Sequence, residues 1–199
     1  MDMTDYIIDS SRTAIYPYKG TMGGLTYVLL GLGGEAGEVS EIIKKMMRDD
    51  NPVDVPRLKS EIGDMLWYWS QIMIETSGKF EPEFDADKLQ EEVYTSLNVP
   101  VPEFNTPQWI QNQTTFFKHF YICYGQMNKA AMKVDSQEDY TKACQEIAQL
   151  NVEVIKIIGC FLTNIGVKVS EAMQGNLDKL SARMAAGKLQ GSGETLDER

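Results

Sequence analysis

Apolar residues recur at Leu25, Val28, Leu29, Leu32, Val39, Ile42, Ile43 and Met46. This three-and-four spacing predicts a helix with one buried face over about 23–47. Arg48-Asp49-Asp50-Asn51-Pro52 reads as a turn. Leu58, Ile62, Met65, Leu66, Trp69, Ile72 and Met73 then mark a second long amphipathic helix, about 55–76, closed by Ser77-Gly78. Upstream, Tyr6, Ile7, Ala14 and Ile15 are the candidate core contacts of a shorter helix over about 3–15. Tyr16-Pro17-Tyr18-Lys19-Gly20 breaks it.

The pattern weakens after Gly78. A short helix over about 85–96 and a loop through Pro100, Pro102 and Pro107 are expected there. An aromatic-rich helix follows over about 108–133. Ser136-x-x-Asp139 is a helix start, and that helix runs to about 164. Beyond Gly166 a last helix covers about 170–186, and the glycine-rich tail 187–199 reads as flexible. No segment has strand patterning, so the class is all-α, with 1–199 as a single domain. The helix pair ending at Gly78 is echoed by the pair ending at Gly166, with Glu146-Ile147-Ala148-Gln149 opposite Glu61-Ile62-Gly63-Asp64. A duplication would leave the second pair degenerate, without an acidic site.

Two acidic pairs change the picture. Glu35 and Glu38 are three apart on the first long helix, and Glu61 and Asp64 are three apart on the second. Each pair projects from one side of its helix. Helices joined by a short linker pack antiparallel, so the pairs can meet as four carboxylates. Such a cluster repels itself unless a cation sits in it. All-oxygen ligands favour a hard ion, Mg²⁺ or Mn²⁺. Acidic pairs at this spacing are common on solvated faces, and Asp2/Asp5, Asp135/Glu138 and Glu194/Asp197 read that way. Glu35/Glu38 and Glu61/Asp64 differ in lying within apolar helices, amid Gly33, Gly34, Ala36, Gly37 and Gly63. Glycine inside a helix costs about 1 kcal/mol, which close helix approach or room for a ligand would justify. A di-iron centre wants Glu-x-x-His pairs. Phe116 stands three before His119, the single histidine, so His119 reads as a surface or packing residue.

Composition adds exclusions. With 29 acidic against 19 basic residues the net charge is −10, which argues against tracking a nucleic-acid backbone. Cys123, Cys144 and Cys160 are widely spaced and odd in number, as expected of apolar thiols in a reducing compartment. The N-terminus has no apolar signal core, and no run approaches the roughly 18 apolar residues of a membrane span. A soluble cytoplasmic protein is expected.

Glu35-x-x-Glu38, then 22 residues, then Glu61-x-x-Asp64 resembles the signature of the MazG-like nucleotide pyrophosphohydrolases, an all-α superfamily. The likeness extends to Thr13-Ala14-Ile15-Tyr16-Pro17, to Gly31–Val39, to Lys44-Lys45 before Arg48-Asp49-Asp50, and to Met65-Leu66-Trp67-Tyr68. It ends in Asn176-x-x-Lys179-Leu180-x-x-Arg183 and the tail Leu189-Gln190-Gly191-Ser192-Gly193. It covers about 6–78 and 164–193; the stretch 79–163 is a helical insertion that compact members lack.

The resemblance implies Mg²⁺-dependent hydrolysis of a nucleoside triphosphate, expected to be a dNTP, to monophosphate and pyrophosphate, in control of nucleotide pools. It implies metal on Glu35, Glu38, Glu61 and Asp64, and homo-oligomers, dimers or tetramers. Glu38 is the first choice of base, with Glu41 one turn on either supporting it or solvated. Lys44, Lys45, Lys179 and Arg183 are candidates for the outer phosphates, Asn176 for sugar, phosphate or metal water, and Tyr16 for stacking the base. The alternative is a catalytically inactive nucleotide-binding or regulatory protein.

Overall fold

The structure, a computed structural model, describes residues 2–49, 54–76, 87–88, 90–92, 103 and 106–189. Helices α1 (Met3–Ser11), α2 (Met22–Asp49), α3 (Val55–Glu75), α4 (Pro107–Ala131), α5 (Gln137–Asn164) and α6 (Val169–Ala185) account for most of them. Further helical backbone lies at 87–88 and 90–92. Among the described residues there is no strand, and the fold is all-α.

Local chemistry sets the helix starts. Asp2, Asp54, Thr106 and Ser136 each accept a backbone N–H of the first turn, and prolines occupy the opening of α3 and α4. Helix α6 has no such cap on its own side. Instead Gln90 accepts Val169 N–H and Asp87 accepts Ser170 N–H, each at 2.9 Å. The segment around 87–92 therefore satisfies the orphan donors of α6 from outside.

The first helix is shorter than its apolar pattern suggested. It stops at Ser11 because the next N–H groups turn back in three-residue steps, Arg12 to Asp9, Thr13 to Ser10 and Ala14 to Ser11. Tyr6 and Ala14 are buried, whereas Ile7 is half-buried and Ile15 is exposed. The other boundaries fall within two residues of expectation. The expected tail beyond Leu189 and much of the expected short helix around 85–96 lie outside the described residues.

Helices α2 and α3 form an antiparallel pair. Gly24 lies beside Glu75, Gly31 beside Tyr68, and Glu35 beside Glu61 and Asp64, in opposite order along the two helices. A Cβ on Gly31 would sit 2.0 Å from the Tyr68 ring, so the glycine permits this approach. Helices α4 and α5 form a second pair packed on the first. Trp69 Nε1 donates to the Asn151 carbonyl and Asn151 Nδ2 donates to the Trp69 carbonyl, both at 2.9 Å. Gly33 leaves room for Tyr124 of α4, whose hydroxyl would be 2.3 Å from a Cβ there.

Helices α5 and α6 meet at 99°, and Gly166 in the turn takes a φ of +69°. That corner lays α6 across α3, where Gly63 admits it: a Cβ on Gly63 would stand 3.2 Å from the Ala172 carbonyl and from Asn176 Cβ. Glu146 and Gln149 on α5 are exposed, and among the described residues neither belongs to an acidic group that could hold a metal ion. His119 is exposed, Cys144 and Cys160 are buried, Cys123 is half-buried, and all three thiols are free. No single helix among the described residues is long and apolar enough to cross a membrane.

Candidate metal centre

The apolar face of α2 turns Leu25, Val28, Leu29, Leu32, Ala36 and Val39 into the core. Glu35 flanks that face and is only partly solvated. The same holds for Glu61 and Asp64, which flank Ile62 and Met65 on α3. One carboxylate oxygen from each of Glu35, Glu61 and Asp64 lies within 4.8 Å of the other two. This spacing lets one small cation touch all three.

The electrostatics match the crowding. Burial first, then the charges of Asp64 and Glu61, push the Glu35 carboxyl up to about 7, with Lys179 opposing and Glu38 adding. Glu61 is raised by burial and then by Asp64, against the pull of Lys179 and Arg57. Arg57 is a weak partner, 3.9 Å from Glu61 across one helical turn.

Asp64 is the most firmly held of the three. Asn176 Nδ2 donates to its Oδ1 at 2.8 Å, and the Lys179 ammonium donates to its Oδ2. Tyr6 of α1 in turn donates its buried hydroxyl to Asn176 Oδ1 at 3.1 Å. Burial and then the Asp64 charge push the Tyr6 phenol well above its usual range, so it remains a donor. The chain Tyr6–Asn176–Asp64 fixes one carboxylate from two other helices.

The structure brings together three of the four acids expected to meet. Glu38 is exposed and outside the group, although its charge reaches Glu35 and Glu61. A three-residue step turns a helix by about 300°, so Glu38 shares the side of Glu35 without sharing its depth. Asn176 is 2% exposed, a buried network residue and not a surface amide. Lys179, a candidate for the outer phosphates, sits on one of the carboxylates. Lys44 and Lys45 pair with Glu41 on their own helix, the latter at 3.3 Å, so Glu41 serves the lysines and not Glu38. Arg183 is exposed, one turn beyond Lys179.

Tyr16 is part of the packing. It is 7% exposed, stacked on Tyr27 with centroids 5.1 Å apart, edged by Trp67, and overlain by the Lys19 ammonium. Its hydroxyl donates to Glu75 Oε1 at 2.6 Å. Glu75 was missed in the sequence. It is 6% exposed and also accepts Gly20 N–H at 2.8 Å, tying the α1–α2 connection to the end of α3. Its signal was the register, because Glu75 continues the buried stripe of Ile72 and Met73.

No family model matches the chain, and no solved structure matches it. One stretch is similar to Gene 37 protein of Mycobacterium phage L5, 42% identical over 79 residues, covering 36% of this chain and 69% of that protein. On that kinship the chain belongs to the same family as the phage protein, whose name states no activity.

Proposed function

We propose that the chain is a divalent-metal-dependent nucleoside triphosphate pyrophosphohydrolase of MazG-like type, with a dNTP as its substrate. The observation that supports this most is the convergence of Glu35, Glu61 and Asp64, from two acidic helix pairs, beside Asn176 and Lys179. The residues fit a hard cation: all donors are carboxylate oxygens, and the Glu35 carboxyl is raised first by burial and then by the charges of Asp64 and Glu61, which a cation would offset. Mg²⁺ or Mn²⁺ there would supply Lewis acidity and charge neutralisation at the substrate phosphates.

The chain's own residues divide the remaining work. Asn176 and Tyr6 hold Asp64 in one orientation. Glu38, beside the triad but outside it and in contact with solvent, accepts the proton of the attacking water. The water oxygen bonds to the α-phosphorus, the bond from it to the α,β-bridging oxygen breaks, and pyrophosphate leaves. Lys179 and Arg183 stabilise the charge that develops on that leaving group, where fixed cations act most strongly.

Hydrolysis in ¹⁸O-labelled water tests the reading. Label is expected in the nucleoside monophosphate, with pyrophosphate released only when Mg²⁺ or Mn²⁺ is present. Label in orthophosphate with diphosphate accumulating, or binding without any turnover across the canonical ribo- and deoxyribonucleoside triphosphates, overturns it. The second of those outcomes is the behaviour of a non-catalytic nucleotide-binding protein.

A further inference from the structure

Two side chains of one separate segment hold the corner between α5 and α6. Gln90, 8% exposed, donates through Nε2 to Thr163 Oγ1 and to the Val167 carbonyl, both at 2.9 Å, with the Gly159 carbonyl 3.3 Å away. Its Oε1 accepts Val169 N–H. Asp87, on the same segment, accepts Ser170 N–H on Oδ1 and the Ser170 hydroxyl on Oδ2, the latter at 2.6 Å. The Gln90 stem rests on α5, where a Cβ on Gly159 would stand 3.6 Å from Gln90 Cα. One amide thus bonds the end of α5, the connecting turn and the first residue of α6, and Asp87 bonds the next residue. The angle set there is felt at the carboxylates. Asn176 lies six residues beyond Ser170 on the same helix. At 1.5 Å per residue that is an arm of about 9 Å. A swing of about 5° moves its end by roughly 0.8 Å, which stretches a hydrogen bond of ordinary length past its limit. The bond at that end is the one from Asn176 to Asp64, 2.8 Å long. The buried residues of α6 end at Leu177, so the direction of the helix is set in its first half.

We propose that Gln90 and Asp87 are positioning residues of the metal centre: they strap α6 at its corner and thereby hold Asn176 on Asp64. The effect on a cation rests on the metal-centre reading, whereas the hold on Asn176 stands on the hydrogen bonds alone. The proposal gives the stretch 79–163, which lies outside the MazG-like resemblance, a task at the carboxylates. Removing the Gln90 amide strands Val169 N–H at a residue only 1% exposed. The corner regains a partner for that donor only by moving or by admitting water. Either change loosens the start of α6, and Asn176 then ceases to fix Asp64. Losing a partner that orients a metal ligand weakens metal binding about 10–100-fold. The strap acts through such a partner, so its loss belongs at the lower end, about tenfold.

The test is nuclear magnetic resonance of the full chain without metal, followed by calorimetric titration with Mn²⁺. The side-chain amide signals of Asn176 are identified by their loss in Asn176→Ala. They are expected to shift in Gln90→Ala and in Asp87→Ala, the milder variant because Asp87 is half-buried. They should stay in place in the control Glu91→Ala, exposed on the same segment. Mn²⁺ affinity is expected to fall about tenfold in both strap variants. In an Asn176→Ala background neither should lower it further, because the contact through which they act is gone, whereas an independent structural loss would add. Titrations are run well below each variant's melting temperature, where circular dichroism shows it folded. Asn176 signals unmoved by both variants, or affinity losses that add to that of Asn176→Ala, overturn the proposal. Mn²⁺ bound equally by the unaltered chain and both variants sinks the strap's role and leaves the metal centre standing. Shifted Asn176 signals in a chain that binds no Mn²⁺ keep the strap's hold on Asn176 and sink the metal centre.

Discussion

The Asn176 amide donates to Asp64 Oδ1 at 2.8 Å, joining α6 to α3 between residues 112 apart in sequence. That bond passes on to Tyr6, so α1, α3 and α6 meet at one carboxylate. An acid held by two outside helices keeps its orientation when the rest of the surface moves. A ligand for a small cation needs this order, because affinity depends on oxygens that are already in place.

Removing that support should act on both stability and binding. Asn176→Ala leaves the Tyr6 hydroxyl and one Asp64 oxygen without their partner, which costs about 2–3 kcal/mol. For a domain of this size that corresponds to a melting temperature lower by about 4–12 °C. Tyr6→Phe keeps the ring and should lose roughly half as much. Thermal melts measure both. A melting temperature of Asn176→Ala equal to that of the unaltered chain would show that the bond contributes nothing.

The triad should betray its repulsion when one charge is removed. Glu35→Gln relieves a crowded, half-buried carboxylate, so the metal-free protein should melt higher, by about 2–4 °C for each kcal/mol of repulsion removed. The same variant should lose the stabilisation that the unaltered chain gains from millimolar Mg²⁺ or Mn²⁺. Melting curves with chelator and with metal read both effects. An unaltered chain whose melting point ignores both ions would remove the metal centre.

Glu38 and Asp64 should separate in experiment. Asp64→Asn loses metal-dependent stabilisation and turnover together. Glu38→Gln keeps the stabilisation, because Glu38 stands outside the triad, and loses turnover by about 10²–10⁴-fold as a general base does. If Glu38→Gln turns over at the normal rate with saturating metal, the proton goes elsewhere.

Gly63→Ala sets two effects against each other. Helix propensity gains about 1 kcal/mol from the change. The new methyl would stand 3.2 Å from the Ala172 carbonyl, a backbone atom that moves only with α6. Overpacking of this kind costs about 1–3 kcal/mol, so the net stability should change little or fall. Metal-dependent stabilisation should weaken, since α6 carries Asn176 and Lys179 away from Asp64. Undiminished metal response in Gly63→Ala would show that the close approach is unimportant to the site.

Glu75 should prove a stability residue and not a site residue. Glu75→Ala strands the Tyr16 hydroxyl and the Gly20 N–H, two donors bound at 2.6 and 2.8 Å. A loss of about 2–4 kcal/mol is expected, together with a lower melting temperature by about 4–16 °C. Metal-dependent stabilisation of the folded fraction should persist. Its disappearance would place Glu75 in the metal site's support.

Most of the helices were legible because their causes are local, although the first N–H groups of α6 are capped from a separate segment by Gln90 and Asp87. Three-and-four spacing marked the buried faces of α2 and α3, and Asp-, Thr- and Ser-type caps mark where chains enter helices. The same locality placed Glu35 with Glu38 and Glu61 with Asp64, each pair on one side of its own helix. Which oxygens share space is not local. It depends on the offset of α2 against α3, set by Gly31 against Tyr68 and Gly24 against Glu75, and that offset brought Glu35 inward while leaving Glu38 in solvent. The place of Lys179 depends on a 99° corner and on the missing Cβ of Gly63. Helical period is a property of neighbouring residues, whereas the depth and company of a charge are properties of the surfaces that close over it. The acids were therefore readable from the chain alone, and their partners only from the packing.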